Sequence, residues 1–423
     1  MKLLILGGSN VQLNAVKKAK EKGHTVIVSD YYPDAPAKKL SDYSELASTF
    51  DIEANIEAAK RHGADGVLTL GTDQPVYTAA RVAEECGLPS LINAITAKAA
   101  TNKKIMKSIF KDNCIPSVNY CIIGRDFCEK DMEGVSFPVV VKPLDSQGQR
   151  GVYKLDSIYD IRSVFNEVLS FSREKEILVE EFYPSDEITV SGWVHNRKLH
   201  ILTVTDRIYY NNYPHIGICT AHNFPSRFLA DFHTEISQLS ERLVQAFEIP
   251  EGPVYFQMLL GDSGIMVNEI ACRIGGAYED LFIPLVTGID ILDMLIEASL
   301  GNSYDIAALN SYRPEMNNRL VTVQMLFASP CTIKSTNDMN SIRQLPGVVQ
   351  AKYNFKPGYS VSSMENATAR AGYVIITGES RAILEENTRR VYNCLKICDE
   401  TGENKIINFN LVEEKHYDKK SGK

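Results

Sequence analysis

Along the N-terminal part of the chain, apolar positions follow two different periods. Short β-rich runs at 2–6 (KLLIL), 25–29 (TVIVS) and 66–70 (GVLTL) alternate with segments of helical period at 11–22, 52–62 and 74–86. This βαβαβα order predicts a parallel sheet with helices on both faces. Residues 94–111 read as one Ala- and Lys-rich helix containing Asn102-Lys103-Lys104, ended by Asn113-Cys114-Ile115-Pro116. A valine run at 139–141 predicts a buried strand, with a loop at 146–151 and a second strand-like run at 152–155. A helix at 158–171, a strand at 177–181, a turn at 182–186 and a strand starting at Glu187 follow. A hairpin is predicted over 254–270, turning at Gly261-Asp262-Ser263-Gly264, and then a helix over 290–300. Beyond the loop-like stretch 310–318, strands at 320–326 and 372–377 and a helix at 380–396 predict a small α+β unit. The polar tail 415–423 is expected to fray. Residues 209–222 are read as a loop without a motif.

Composition narrows the class. With 44% hydrophobic and 23% charged residues among 423, the chain reads as a globular protein of about three domains. A net charge of -8 argues against a nucleic-acid-binding surface as the main role. The apolar stretch 283–300 carries Asp290, Asp293 and Glu297, so a membrane span is not expected. Nine cysteines without a CxxC pair suggest free thiols in a reducing cytoplasm, and eight histidines show no zinc spacing.

Candidate chemistry gathers at four places. Lys142 lies inside an apolar strand, ahead of Ser146, Gly148 and Gly151. A lysine followed by a glycine-containing loop can lay a charge and backbone N–H groups over a polyphosphate; an ordinary hairpin with a snorkelling lysine has the same pattern. Gln257 and Glu269 fall on neighbouring strands, directly opposite or diagonal according to the turn length. Two such oxygens suit magnesium, and a cross-strand polar pair fits as well. Arg273 precedes Gly275-Gly276, where the backbone must bend closely around something. At the N-terminus, Gly7-Gly8-Ser9-Asn10 and Asp30 suggest a dinucleotide site, but the third glycine is missing, and a Rossmann-like half-domain without NAD is the better reading. Gly71-Thr72-Asp73 falls at the ligand-binding edge of such a sheet, where Asp73 also fits a helix N-cap.

Together these segments resemble the ATP-grasp superfamily, in order and spacing, from the N-terminal sheet to about residue 300. Lys103 ahead of Ile115-Pro116 matches the first nucleotide lysine, and Lys142 in VVVKP the second. Val179-Glu180-Glu181-Phe182 resembles the adenine hinge, with Glu187 as the ribose-binding acid. EIACRIGG resembles the metal-strand exit, with Gln257 and Glu269 as ligands of Mg2+ or Mn2+. Ala271 departs from the asparagine that the family offers there, which is expected to weaken a second metal site.

The resemblance implies a Rossmann-like domain over 1–95, an ATP-grasp core of two α+β lobes clasping ATP over 96–308 with a mobile lobe at about 117–190, and a C-terminal α+β domain over 309–423. It implies a cytoplasmic ligase and a possible homodimer, with small-molecule carboxylate and amine substrates. Lys142 would neutralise phosphate charge, and Arg273 would stabilise the transferring phosphoryl group. Lys142→Ala is expected to abolish turnover without unfolding the protein. Arg207 and His222 are candidates for the acceptor pocket or for structural roles. The alternatives are a purine-pathway enzyme acting on a ribonucleotide amine, a non-catalytic ATP sensor, and an NAD-dependent oxidoreductase.

Overall fold

A computed structural model describes residues 1–409; the polar tail at 415–423 lies outside the described residues. Packing divides the chain into two units. The first takes Met1–Val118, Thr189–Val204 and Ala230–Met316; the second takes Asn119–Ile188, Thr205–Leu229 and, of the described residues, 317–409.

In the first unit the predicted parallel sheet is present. Its strands run in the order Tyr43–Glu45, Thr25–Ser29, Lys2–Leu6, Gly66–Leu68, all parallel. The strands need both faces covered, and helices Leu13–Glu21, Ile52–His62 and Gln74–Cys86 supply the cover. Leu4, Leu6, Ile27, Ile56, Val67 and Val82 form one core cluster there. Gln12 fills the turn after the first strand: its Oε1 accepts from the Ser9 N–H, and its Nε2 donates to Leu70 O. Asp30 accepts the Gly8 N–H at 2.7 Å. The Gly8 and Ser9 N–H groups and one Asp30 carboxylate oxygen are thus engaged within the fold.

The single helix expected over 94–111 is two. Ala94–Thr101 stops at Asn102, which is extended (φ -121°, ψ 111°), and Lys103–Asp112 begins there. The Asn102 carboxamide accepts the N–H groups of Lys104 and Ile105, so it caps a new helix instead of continuing the old one. Lys103 therefore opens a helix. The hairpin Gly252–Gly261 and Gly264–Ala271 completes the part of this unit that matters for the site.

In the second unit, strands Tyr153–Leu155, Val139–Pro143, Ile177–Glu181 and Tyr120–Ile123 pair antiparallel in that order. Helix Ile158–Ser170 packs on them through Ile161, Phe165 and Val168 against Val139, Val141 and Val179. Residues 209–222, read as a loop, are two strands joined by a turn at Tyr213-Pro214: His215–Phe224 pairs with the preceding strand through Asp206–Asn212 and also with Leu320–Leu326. Leu320–Leu326 then pairs with Gly372–Gly378, and helix Arg381–Cys394 lies against both. Buried Thr205, Arg207, Thr220 and His222 occupy positions where an apolar residue would have made the alternation visible.

Candidate functional site

The first unit holds one half of the candidate residues. The hairpin register sets Gln257 directly opposite Glu269, with a bulge just after Gln257. Lys103, at the start of its helix, reaches Glu269 Oε1 at 2.9 Å, with side chains 11% and 25% exposed respectively. Gln257 Oε1 accepts from Asn268 Nδ2 at 3.4 Å. Glu269 and Gln257 make a set of one carboxylate and one amide oxygen. Among the described residues no group of three or more His, Cys, Asp or Glu could hold a metal. Two oxygens side by side fit a magnesium that takes its remaining ligands from phosphate and water. Ala271 faces Tyr255 across the hairpin and is buried, so it adds no oxygen.

Arg273 is held by Asp73, a partner the sequence did not indicate. Its Nε lies 2.5 Å from Asp73 Oδ1, its second terminal nitrogen is equally close to the same oxygen, and its first donates to Ile274 O at 3.1 Å. Asp73 stands at the N-cap position of helix Gln74–Cys86 but makes no capping bond; its carboxylate serves Arg273 instead. Burial opposes the guanidinium charge, and Asp73 more than offsets that, so Arg273 stays protonated. Three of its five N–H donors are engaged within the protein. Around it, Gly275 has no room for a side chain, since a Cβ there would lie 2.3 Å from the Glu279 carboxyl carbon. Glu279 accepts the Ala277 N–H at 2.6 Å and is pushed up to about 7, chiefly by burial.

The second unit holds the other half. Lys142 meets Glu180 at 2.6 Å, and Glu180 is only 2% exposed. The expectation that these strands do not depend on the Lys142 charge is revised: taking it away would leave the buried Glu180 carboxylate without this ion pair. Gly148, Gln149 and Gly151 all have positive φ (68°, 60° and 70°), which bends the loop after this strand sharply. A Cβ at Gly151 would come within 2.8 Å of Phe171. Ser146 is buried at the start of the loop. Asp145, which the sequence did not single out, anchors its base by accepting from Ser172 Oγ and the Arg173 N–H.

The hinge residues are partly spent on structure. Glu181 accepts from Asn119 Nδ2 and the Ser136 N–H, at 2.9 and 2.7 Å. The Phe182 N–H donates to Pro138 O, and its ring lies under the Lys154 ammonium, 3.6 Å from the ring centre. Glu187 pairs with Arg207 at 2.5 Å.

Comparison with known proteins bears on both halves. Residues 135–279 match the ATP-grasp domain, and residues 324–398 match the L-amino acid ligase C-terminal domain 2. A formate-dependent phosphoribosylglycinamide formyltransferase of Prochlorococcus marinus is 28% identical over 189 residues, which is 44% of this chain and 48% of that protein. Its counterpart in Flavobacterium psychrophilum is 26% identical over 200 residues, 45% and 50% of the two chains. The chain thus spans about half the length of the curated relatives it matches. An L-amino acid ligase from Bacillus licheniformis shares the fold with a TM-score of 0.79 at 17% identity, covering 94% of this chain and 98% of that one. N5-carboxyaminoimidazole ribonucleotide synthetase from Thermotoga maritima superposes with a TM-score of 0.69 at 20% identity, covering 94% and 99%. The chain carries an ATP-grasp domain, and its fold is the one these ligases share.

Proposed function

We propose that this protein is an ATP-dependent ligase that activates a small carboxylate as an acyl phosphate for attack by an amine, releasing ADP and phosphate. The observation that carries the reading is the ATP-grasp match over 135–279, within which Lys142, Glu180, Gln257, Glu269 and Arg273 stand in the order of the motif. Lys142 would meet phosphate oxygens while keeping buried Glu180 as its counter-charge, and Lys103 would exchange the more exposed Glu269 for phosphate oxygens. Glu269 and Gln257 would hold a magnesium or manganese ion, which supplies charge neutralisation to the phosphates. Backbone N–H groups of 146–151 would cover the phosphates and exclude water. Arg273, steadied by Asp73, would offer its remaining donors to the transferring phosphoryl group. In this reading Glu180, Glu181, Phe182 and Glu187 line the nucleoside end.

Two substrate classes have support. The L-amino acid ligase domain at 324–398 favours an amino acid as the amine. The formyltransferase relatives favour a ribonucleotide amine. The test is ADP release with magnesium and pooled carboxylates, challenged in turn with amino acids and with phosphoribosyl amines, and mass analysis of the product. Substrate-dependent release supports the ligase. Tight ATP binding with no release under any pool would mark a sensor and sink the proposal.

A further inference from the structure

The glycine loop at 146–151 has a partner far along the chain, also in the second unit. The Ala367 N–H donates to Gly148 O at 3.0 Å. A Cβ added at Gly148 would lie 3.6 Å from the Ala367 methyl, so the two residues stand side by side. Ala367 opens the short turn Ala367–Ala369, and Asn366 shapes it. Asn366 is extended (φ -160°, ψ -179°), and its carboxamide accepts from the Thr368 N–H and hydroxyl at 3.0 and 2.6 Å. The first N–H of such a turn has no acceptor inside it. Here it is directed at the loop.

Two further bonds close a circuit. Strand Tyr153–Leu155 leaves the loop, and its Lys154 N–H donates to Pro214 O at 2.9 Å. Pro214 lies in the turn between strands Lys198–Asn212 and His215–Phe224. Beside that turn, Asn212 Nδ2 donates to Met364 O at 3.2 Å, just ahead of Asn366. Bonds thus run from the loop's exit strand to the hairpin tip, from there to 364, and back from 367 to the loop. Such support has a purpose in a loop of this shape. Gly148, Gln149 and Gly151 all hold positive φ, and a glycine-containing segment leaves that shape readily when nothing fixes it. Asp145 anchors the base of the loop through Ser172 and Arg173, and Ala367 holds its middle.

We infer that the segment 364–369 positions the glycine loop: through the Ala367 N–H it keeps 146–151 in one shape, so that the loop is set before a nucleotide arrives. What the loop does to phosphate rests on the ligase reading; the tie itself needs no nucleotide. A loop that must be ordered on binding lowers affinity, and one ordered beforehand does not. Segment 364–369 lies inside the match to the L-amino acid ligase domain, so that part of the chain sets how tightly the ATP-grasp loop encloses phosphates. Asn366 and Asn212 act through this one backbone bond and are positioning residues.

The test removes the bond and follows the loop. Ala367→Pro deletes the donor; proline suits the first position of a turn, and the extended Asn366 suits the residue ahead of it. Ala367→Ser keeps the N–H and is the control. Asn212→Ala releases Met364 without touching the turn, and carries the test if the proline variant does not fold. Without nucleotide, trypsin cuts the native chain after Arg150, inside the loop, and mass analysis follows the fragment 1–150. Cleavage about tenfold faster is expected in Ala367→Pro, a smaller rise in Asn212→Ala, and the wild-type rate in Ala367→Ser. Calorimetry then gives Kd for Mg·AMP-PNP and for adenosine. Ala367→Pro is expected to bind Mg·AMP-PNP about tenfold more weakly and adenosine unchanged, because the loop acts at the phosphate end. The inference is overturned if Ala367→Pro, or Asn212→Ala in its place, is cut at the wild-type rate. It is also overturned if Ala367→Pro holds Mg·AMP-PNP as tightly as a wild type that binds it. A wild type that binds no nucleotide, with the cleavage contrast intact, removes the ligase reading and leaves the tie.

Discussion

Two lysine–glutamate pairs, one in each unit, look alike in composition and geometry and differ in how deeply they lie. Lys103–Glu269 closes at 2.9 Å with Glu269 a quarter exposed, whereas Lys142–Glu180 closes at 2.6 Å with Glu180 almost wholly shut away. A partly exposed pair contributes about 0–1 kcal/mol and exchanges partners readily. A buried pair contributes little over an apolar replacement, yet breaking it by deleting one member costs roughly 3–5 kcal/mol. Exposure thus suits Glu269 to trade a lysine for a metal, while Glu180 acts first as the counter-charge that allows Lys142 to stand in an apolar strand.

The contrast is most exposed to challenge at Lys142. Lys142→Ala should abolish turnover and also destabilise the protein by roughly 3–5 kcal/mol in a denaturant titration. Adding Glu180→Leu should return most of the stability and none of the activity; a single variant as stable as wild type would erase the distinction between the pairs. Glu269→Gln should lower turnover on the order of a hundredfold, the scale of lost metal-borne charge stabilisation, with stability changed by less than about 1 kcal/mol. An unaltered magnesium dependence in that variant would remove Glu269 from the metal site.

A third, smaller effect extends the comparison to a charge with no cationic partner at bonding distance. The Glu279 carboxyl is raised to about 7 from 4.5, so the folded state keeps a proton that the unfolded chain releases earlier. Stability contributed by this group is full below pH 4.5, falls as the pH rises to about 7, and is level above. Glu279→Gln should flatten that descent and raise stability at pH 8 by on the order of 3 kcal/mol. Asp280, pushed up to about 6, keeps part of the slope. The smallest effect is at Asn102, where Asn102→Ala should cost about 1 kcal/mol through the lost cap. It should also weaken Mg·ATP protection, because the cap places Lys103.

Much of the fold was legible because its periods are clean. Helices Ile52–His62 and Gln74–Cys86 and strand Ile177–Glu181 appear where apolar spacing put them. The break at Asn102 was hidden because Ala and Lys favour helix on both sides of it, and only the carboxamide's bonds from the amides of Lys104 and Ile105 mark a new helix start. Strand His215–Phe224 was hidden for the opposite reason: buried Thr220, His222 and Asn223 break its apolar pattern, and one of its partners, Leu320–Leu326, lies about a hundred residues on. At the candidate site, Lys103, Lys142, Gln257 and Glu269 could be named because their motifs, taken in order, resemble those of the ATP-grasp superfamily. That Asp73 would hold Arg273, 200 residues away, and that Ala367 would hold Gly148 are products of tertiary packing that no local pattern records.

The central claim is that a carboxylate is activated by transfer of a phosphoryl group. Turnover with an 18O-carboxylate pool, ATP, magnesium and an amine pool, followed by mass analysis of the released phosphate, tests it directly. The carboxylate oxygen that bonds phosphorus must leave with it when the amine attacks the acyl carbon, so one 18O per phosphate is predicted. ADP formed with wholly unlabelled phosphate would contradict the account.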